Sequence, residues 1–214
     1  MKKLLVFSFL GFFAVPSLAS AQQIMIGGRA GVNLGSQNWT YNISQSIKPG
    51  ILGGFEADMS LNPSWAASIQ LLYDQKGTHA DHFGLADGPL PPPADWTMNY
   101  IEVPLLAKLK LGYTGKSIQP YFFAGPSIGF LVSNIEKRYA TTVNITDSTA
   151  KIDFCLSGGA GLSISLSSGT ILFLDAGYAF GLTNTDNYYY DKEDGISIYS
   201  RDIRLAAGVL FPIR

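Results

Sequence analysis

From Lys151 to Leu166 apolar residues alternate strictly with small or polar ones. One face carries Ile152, Phe154, Leu156, Gly158, Ala160, Leu162, Ile164 and Leu166. The other carries Asp153, Cys155, Ser157, Gly159, Gly161, Ser163 and Ser165. A period of two is that of a strand, since successive side chains of a helix turn by about 100° and cannot hold this pattern. The run is also longer than the ~5–6 residues usual for a globular strand, and a tilted strand crosses a bilayer in ~9–11.

Similar segments recur along the chain. The first places Ile26, Gly28, Ala30, Val32 and Leu34 on one face, with Arg29 and Asn33 on the other. The second sets Ile51, Gly53, Phe55, Ala57 and Met59 against Glu56 and Asp58. The third sets Trp65, Ala67, Ile69, Leu71 and Tyr73 against Ser68, Gln70 and Asp74. The fourth sets Ile101, Val103, Leu105, Ala107 and Leu109 against Glu102, Lys108 and Lys110. The seventh opposes Leu172, Leu174, Ala176, Tyr178 and Phe180 to Asp175 and Gly177. The eighth opposes Ile203, Leu205, Ala207, Val209, Phe211 and Ile213 to Asp202 and Arg204. The fifth, Ile118 to Val132, is apolar on both faces, and its phase stays open.

The connections sort by length. Leu61–Ser64, Gly112–Ser117 and Ser167–Gly169 are short and rich in turn residues, whereas Gly35–Pro49, Gln75–Thr97, Ser133–Ala150 and Thr183–Tyr199 are long. Long and short take turns, the pattern of outer-membrane barrels with short periplasmic turns and longer extracellular loops. A soluble sandwich has no reason to sort its loops in this way. The expectation is all-β: an eight-stranded antiparallel transmembrane β-barrel. Trp39, Tyr73, Trp96, Tyr100, Tyr121, Tyr178 and Phe211 are expected to form its interfacial girdles.

The start of the chain agrees. Met1-Lys2-Lys3, the apolar run Leu4–Val15 and Ala19-Ser20-Ala21 make a cleavable signal peptide over residues 1–21, leaving 22–214 as one barrel domain. No cysteine lies near the cut, which argues against a lipoprotein anchor. Beyond it no stretch approaches the ~20 apolar residues of a spanning helix. Charged residues are 14% of the chain, against about 25% in soluble domains. A formal net charge of −1 leaves no electrostatic footprint for nucleic acid. The single cysteine, Cys155, makes no intrachain disulfide.

On this phasing the lumen receives Arg29, Glu56, Asp58, Asp74, Glu102, Lys108, Lys110, Asp153, Asp175 and Arg204. An eight-stranded barrel has an interior that side chains just fill, and buried charges there must find partners. The expectation is a salt-bridged core without an open channel.

Four stretches carry a family resemblance. They are Gly28-Arg29-Ala30-Gly31-Val32-Asn33-Leu34, Gln70-Leu71-Leu72-Tyr73-Asp74-Gln75-Lys76-Gly77, Tyr100-Ile101-Glu102-Val103-Pro104-Leu105-Leu106-Ala107-Lys108 and Pro120-Tyr121-Phe122-Phe123-Ala124-Gly125-Pro126. With the glycine-rich sixth strand and Leu205-Ala206-Ala207-Gly208-Val209, their order and spacing resemble the PorT-like family of outer-membrane β-barrel proteins. The resemblance spans most of residues 22–214 and implies an eight-stranded barrel in the outer membrane of a Gram-negative bacterium. It implies a link to protein secretion for the founding member and carries over no catalytic residue.

Chemical motifs are sparse. Gly125-Pro126-Ser127-Ile128-Gly129 matches the G-x-S-x-G elbow in form, but both histidines precede it and no helix pattern follows. His79 and His82, with Asp81 and Asp87, lack the helix that gives zinc motifs their geometry and are expected in a solvated loop. Gly158-Gly159-Ala160-Gly161 lacks the strand-then-helix setting of a nucleotide loop. Loops remain as the place for specificity. The second is stiffened by Pro89, Pro91, Pro92 and Pro93, and the fourth displays Tyr188, Tyr189 and Tyr190 beside acids as candidate partner contacts.

The chain is expected to be non-enzymatic, without cofactor or metal, and monomeric, since a closed barrel has no sheet edge. Its expected partners are outer-membrane lipid and other envelope or secretion proteins. A narrow pore for ions or small solutes is the alternative, and a membrane hydrolase a more distant one.

Overall fold

A computed structural model describes residues 23–39, 45–80, 93–112, 117–185 and 197–213. Their strands are β1 (Ile24–Trp39), β2 (Gln45–Ser60), β3 (Trp65–Ala80), β4 (Ala94–Lys110), β5 (Ile118–Arg138), β6 (Thr141–Asn144), β7 (Ile152–Ser165), β8 (Ile171–Gly181) and β9 (Ile198–Ile213). Each long strand pairs antiparallel with its neighbours. The ring closes through β1–β9 and β4–β5, so eight strands form a barrel and β6 hangs on the far end of β5.

Alternation decides the orientation of every wall residue. Phe55 is 72% exposed on the outside, among a band of Ile51, Leu71, Leu105, Phe122, Phe154, Leu174 and Leu205, while their neighbours in sequence point inward. An apolar belt around the whole barrel far exceeds the patch of a few hundred Å² that a soluble monomer tolerates. It suits lipid. No helix among the described residues is long and apolar enough to cross a membrane, so the crossing is made by strands.

The fifth strand acquires its phase here. Tyr121, Ser127 and Gly129 face inward and Phe122, Phe130 and Val132 outward. Tyr100 pairs with Leu131 but Asn99 with Ser133, so Val132 is an extra residue and the parity of β5 flips. Beyond the bulge the buried residue is Asn134. Both faces were apolar for a packing reason. Inside, the Phe123 and Tyr121 rings lie across glycines of β7 and β8: a Cβ added at Gly159 would fall 2.6 Å from Phe123 Cζ.

Strands extend further toward the loop end than their apolar pattern. The segments expected as loops at Gly35–Pro49 and Gln75–Thr97 are paired at both of their ends. β1 reaches Trp39, β2 starts at Gln45, β3 reaches Ala80 and β4 starts at Ala94. Above the lipid belt both wall faces meet polar surroundings. Ladder pairing persists there while hydrophobic alternation, the signal that marks a strand, disappears. The short turns at 61–64 and 167–169 stand as expected, while residues 113–116 of the other lie outside the described residues. Asn62 Oδ1 accepts from Ser64 N and Trp65 N at 2.9 and 2.8 Å, which tightens the first of them.

The girdle is corrected as well. Tyr73, Tyr178 and Phe211 face outward, but Trp39, Trp96, Tyr100 and Tyr121 have the opposite parity and fill the lumen.

Candidate functional site

The lumen is stacked in layers, each supplied by inward positions of several strands. At the turn end Met25, Phe173 and Leu210 pack together, with Ile171 against them. Above them lies a first ion network. Arg29 of β1 donates to Glu56 of β2 at 2.9 Å and to Asp175 of β8 at 2.8 Å. Lys108 of β4 bonds Glu56 and, at 2.8 Å, Asp58. Ser68 donates to Glu56 at 3.2 Å, and Tyr121 donates to Asp175. The Arg29 guanidinium stands 5.4 Å from the Phe173 ring centroid.

Leu52, Leu72 and Ala206 form the next layer. Beside them a cavity of about 30 Å³ is bordered by Arg29, Gln70, Ser157, Pro104 and Arg204.

A second network follows. Arg204 of β9 grips Glu102 of β4 with two bonds, 2.9 and 2.7 Å, and reaches Asp74 at 2.7 Å. Asn33 donates to Asp74 at 2.7 Å. Lys76 sits at the centre, 3.3 Å from Glu102, 3.1 Å from Asp153 and 3.6 Å from Asp202, with its ammonium 4.9 Å from the Tyr100 ring centroid. Cys155 is buried beside it, its Sγ 3.6 Å from Lys76 Nζ.

The loop end is closed by apolar side chains. Trp39 and Trp96 rings meet at 5.6 Å, packed with Ala80, Ala94 and Ile145. Ile145 arrives from the segment between β6 and β7, which folds back onto the wall. There Asn134 accepts Ile145 N on its carbonyl at 2.9 Å and donates its amide to Thr149 at 2.8 Å, and Ala150 N donates to Thr185 O at 3.0 Å.

Most residues expected in the lumen thus fall into two networks: Arg29, Glu56, Asp58, Lys108 and Asp175 in the first, and Asp74, Glu102, Asp153 and Arg204 in the second. Lys110 stands apart at the turn-end rim, 3.3 Å from Ser60 Oγ. Lys76 and Asp202 were missed as members. Lys76 fell in a stretch expected to be loop, although it keeps the parity of Asp74. Asp202 keeps the parity of Arg204.

Outside the belt, a side-chain ladder crosses the wall where lipid contact ends. Tyr73 OH donates to Asn99 at 2.8 Å, and Asn99 donates to Ser133 at 2.8 Å. Above it His79 lies in β3, not in a loop, with Nδ1 2.9 Å from Asp95 Oδ1, and Lys48 Nζ is 3.6 Å from the same oxygen. Burial is the largest single influence on the Asp95 carboxyl and raises it, but the His79 hydrogen bond and the Lys48 charge together outweigh it and hold the group below the usual range. Ser127 is buried within continuous strand β5, without the strand-to-helix turn of an elbow. No cluster among the described residues brings together three side chains able to hold a metal. His82, Asp81, Asp87, the prolines of the second loop up to Pro92, and Tyr188, Tyr189 and Tyr190 lie outside the described residues.

The comparisons agree with this architecture. A family model described as an outer membrane protein beta-barrel domain matches residues 20–187. A search of curated proteins finds no match. Among solved structures, the outer membrane protein OprG from Pseudomonas aeruginosa is similar, with a TM-score of 0.54 and 12% identity over 91% of this chain and 97% of that one. Neisserial surface protein A gives 0.46 at 14% identity, covering 88% and 97%. The attachment invasion locus protein Ail of Yersinia pestis gives 0.41 at 16%, covering 89% and 97%. At these identities the likeness is one of fold, and the OprG match carries it.

Proposed function

This chain belongs to the outer membrane protein beta-barrel domain family, and from that premise we propose that it is a non-enzymatic barrel that works through its outer loops, binding another envelope or secretion component or contributing to envelope integrity. It is exported by the signal peptide over residues 1–21, acts as a monomer with outer-membrane lipid around it, and sits in the PorT-like branch that its ordered motifs resemble.

The observation that carries the reading is the closed lumen. Apolar layers at Met25, Phe173 and Leu210 and at Trp39 and Trp96 bound the two ion networks. A cross-barrel grip such as Arg204 on Glu102 leaves side chains, rather than a water path, on the axis. A wall so filled supports loops; it does not transport.

Single-channel recording of the refolded protein in planar bilayers tests this, with heat-denatured protein as the blank. A silent, correctly folded barrel is expected. Exchanging the outer loops while keeping the wall should then abolish the cellular phenotype. Stable conductance steps altered by Glu102→Gln or Arg204→Gln would put the narrow-pore reading in its place.

A further inference from the structure

The cavity between the two ion networks has an uneven chemistry. Arg29 Nε, Arg204 Nε, Gln70 Nε2 and Ser157 Oγ all belong to residues that border it, and none has a hydrogen-bonding partner within the protein. Gln70 and Ser157 are 4% and 6% exposed, and the Arg29 side chain 7%. Three of the four atoms are N–H donors, and the fourth is a hydroxyl that both donates and accepts. A buried donor without an acceptor loses its bond to water and gains nothing in return, so this concentration of donors in one space is informative. Asp175 also borders the cavity, but its two oxygens already accept from Arg29 and Tyr121. Most of the remaining lining, Leu52, Leu72, Pro104 and Leu106 among it, is apolar.

We infer that this cavity is a hydration site for about two ordered waters, which accept from Arg29 Nε, Arg204 Nε and Gln70 Nε2 and link the two ion networks into one hydrogen-bonded column. Size agrees: one water needs roughly 10–15 Å³ of such volume, and the cavity offers about 30 Å³. Charge selects water over a halide, the other small acceptor. Both guanidiniums are already matched by two carboxylates each: Glu56 and Asp175 for Arg29, Asp74 and Glu102 for Arg204. Asp58, Asp153 and Asp202 add further negative charge to the same lumen. Another anion would be repelled; a neutral acceptor is not. Two waters also have hydrogens to give, and Ser157 Oγ is an acceptor for them.

The test is magnetisation transfer from water to the Nε–H groups of Arg29 and Arg204 in ¹⁵N-labelled protein refolded in micelles, in chloride buffer and in chloride-free buffer. Folding is read separately from amide dispersion. Transfer to both groups is expected, equal in the two buffers. Gln70→Met removes one donor and fills the space, and should abolish transfer while the barrel stays folded; Gln70→Leu serves if that variant does not fold. Absence of transfer in the folded wild type overturns the inference. So do transfer that survives both substitutions unchanged and resonances that move only with chloride, which would make the occupant a halide.

Discussion

Arg204 and Glu102 sit on diametrically opposite strands of the ring, β9 and β4, and meet on the barrel axis through two hydrogen bonds of 2.9 and 2.7 Å. Bidentate geometry of this kind is the strongest an arginine makes with a carboxylate. It ties together two walls that share no ladder.

Carboxylates outnumber cations in the lumen, so the two partners are not equivalent. Arg204→Met leaves Asp74 with the Asn33 amide but without its ion-pair cation, and Glu102 with Lys76 as its cation, and should cost about 3–5 kcal/mol, the range for breaking a buried pair. Glu102→Gln leaves Arg204 on Asp74 and Lys76 on Asp153, and should cost less. Asp202→Asn, at 3.6 Å from Lys76, should cost least. Urea unfolding in lipid vesicles measures all three; the reverse order would show that acid excess does not govern this core.

Glycine at position 161 makes room for the first network. A Cβ there would lie 2.4 Å from Asp175 Oδ1 and 2.5 Å from Tyr121 Cζ. Gly161→Ala should therefore displace the Tyr121 ring and cost about 1–3 kcal/mol, as overpacking does. In a Tyr121→Ala background the same change should cost much less. Additive losses in that double-mutant cycle would refute the contact.

The lipid belt can be mapped by charge. Phe55→Lys should destabilise the inserted barrel by about 2–4 kcal/mol, as a cation does near the midplane. Asn38, exposed at the loop end of β1 where it pairs with Tyr199, should accept lysine within about 0.5 kcal/mol. Equal effects at the two positions would place the membrane boundary elsewhere.

Asp95 gives the loop end a pH dependence. Its carboxyl is held below the usual range, so the stability it contributes is fully present above the unfolded carboxylate value and is lost as pH falls through the lowered folded value. Wild type should melt above Asp95→Asn at neutral pH, and the two midpoints should converge in acid. A gap that persists or widens in acid would exclude a contribution from carboxylate charge.

How far a chain such as this is legible depends on what the local pattern encodes. Ile152 to Ile164 or Leu205 against Arg204 declares its face through period two alone, because a wall between lipid and lumen imposes one chemistry on each side of the pleat. The eight strands, the short turns and the inward charges follow from that. The pattern falls silent where a local rule no longer distinguishes the faces. Gln75 to Ala80 leaves the lipid, so Lys76 is paired and buried without an apolar partner to announce it. Val132 inserts one residue and reverses the parity of β5. Trp39 and Trp96 keep the inward parity of Asn33 and Glu102 on their own strands, and that alternation, not their being aromatic, makes them close the lumen.

Within the lipid belt, and outside β5, sequence by itself determined which face of each strand lines the wall and which enters the barrel, since adjacent side chains point to opposite faces. Only the tertiary structure decided who meets whom inside. Arg204 chooses Glu102 and Asp74, and Lys76 becomes the centre of the second network, because ring closure and strand stagger set the height of each side chain, and no spacing along one strand contains them.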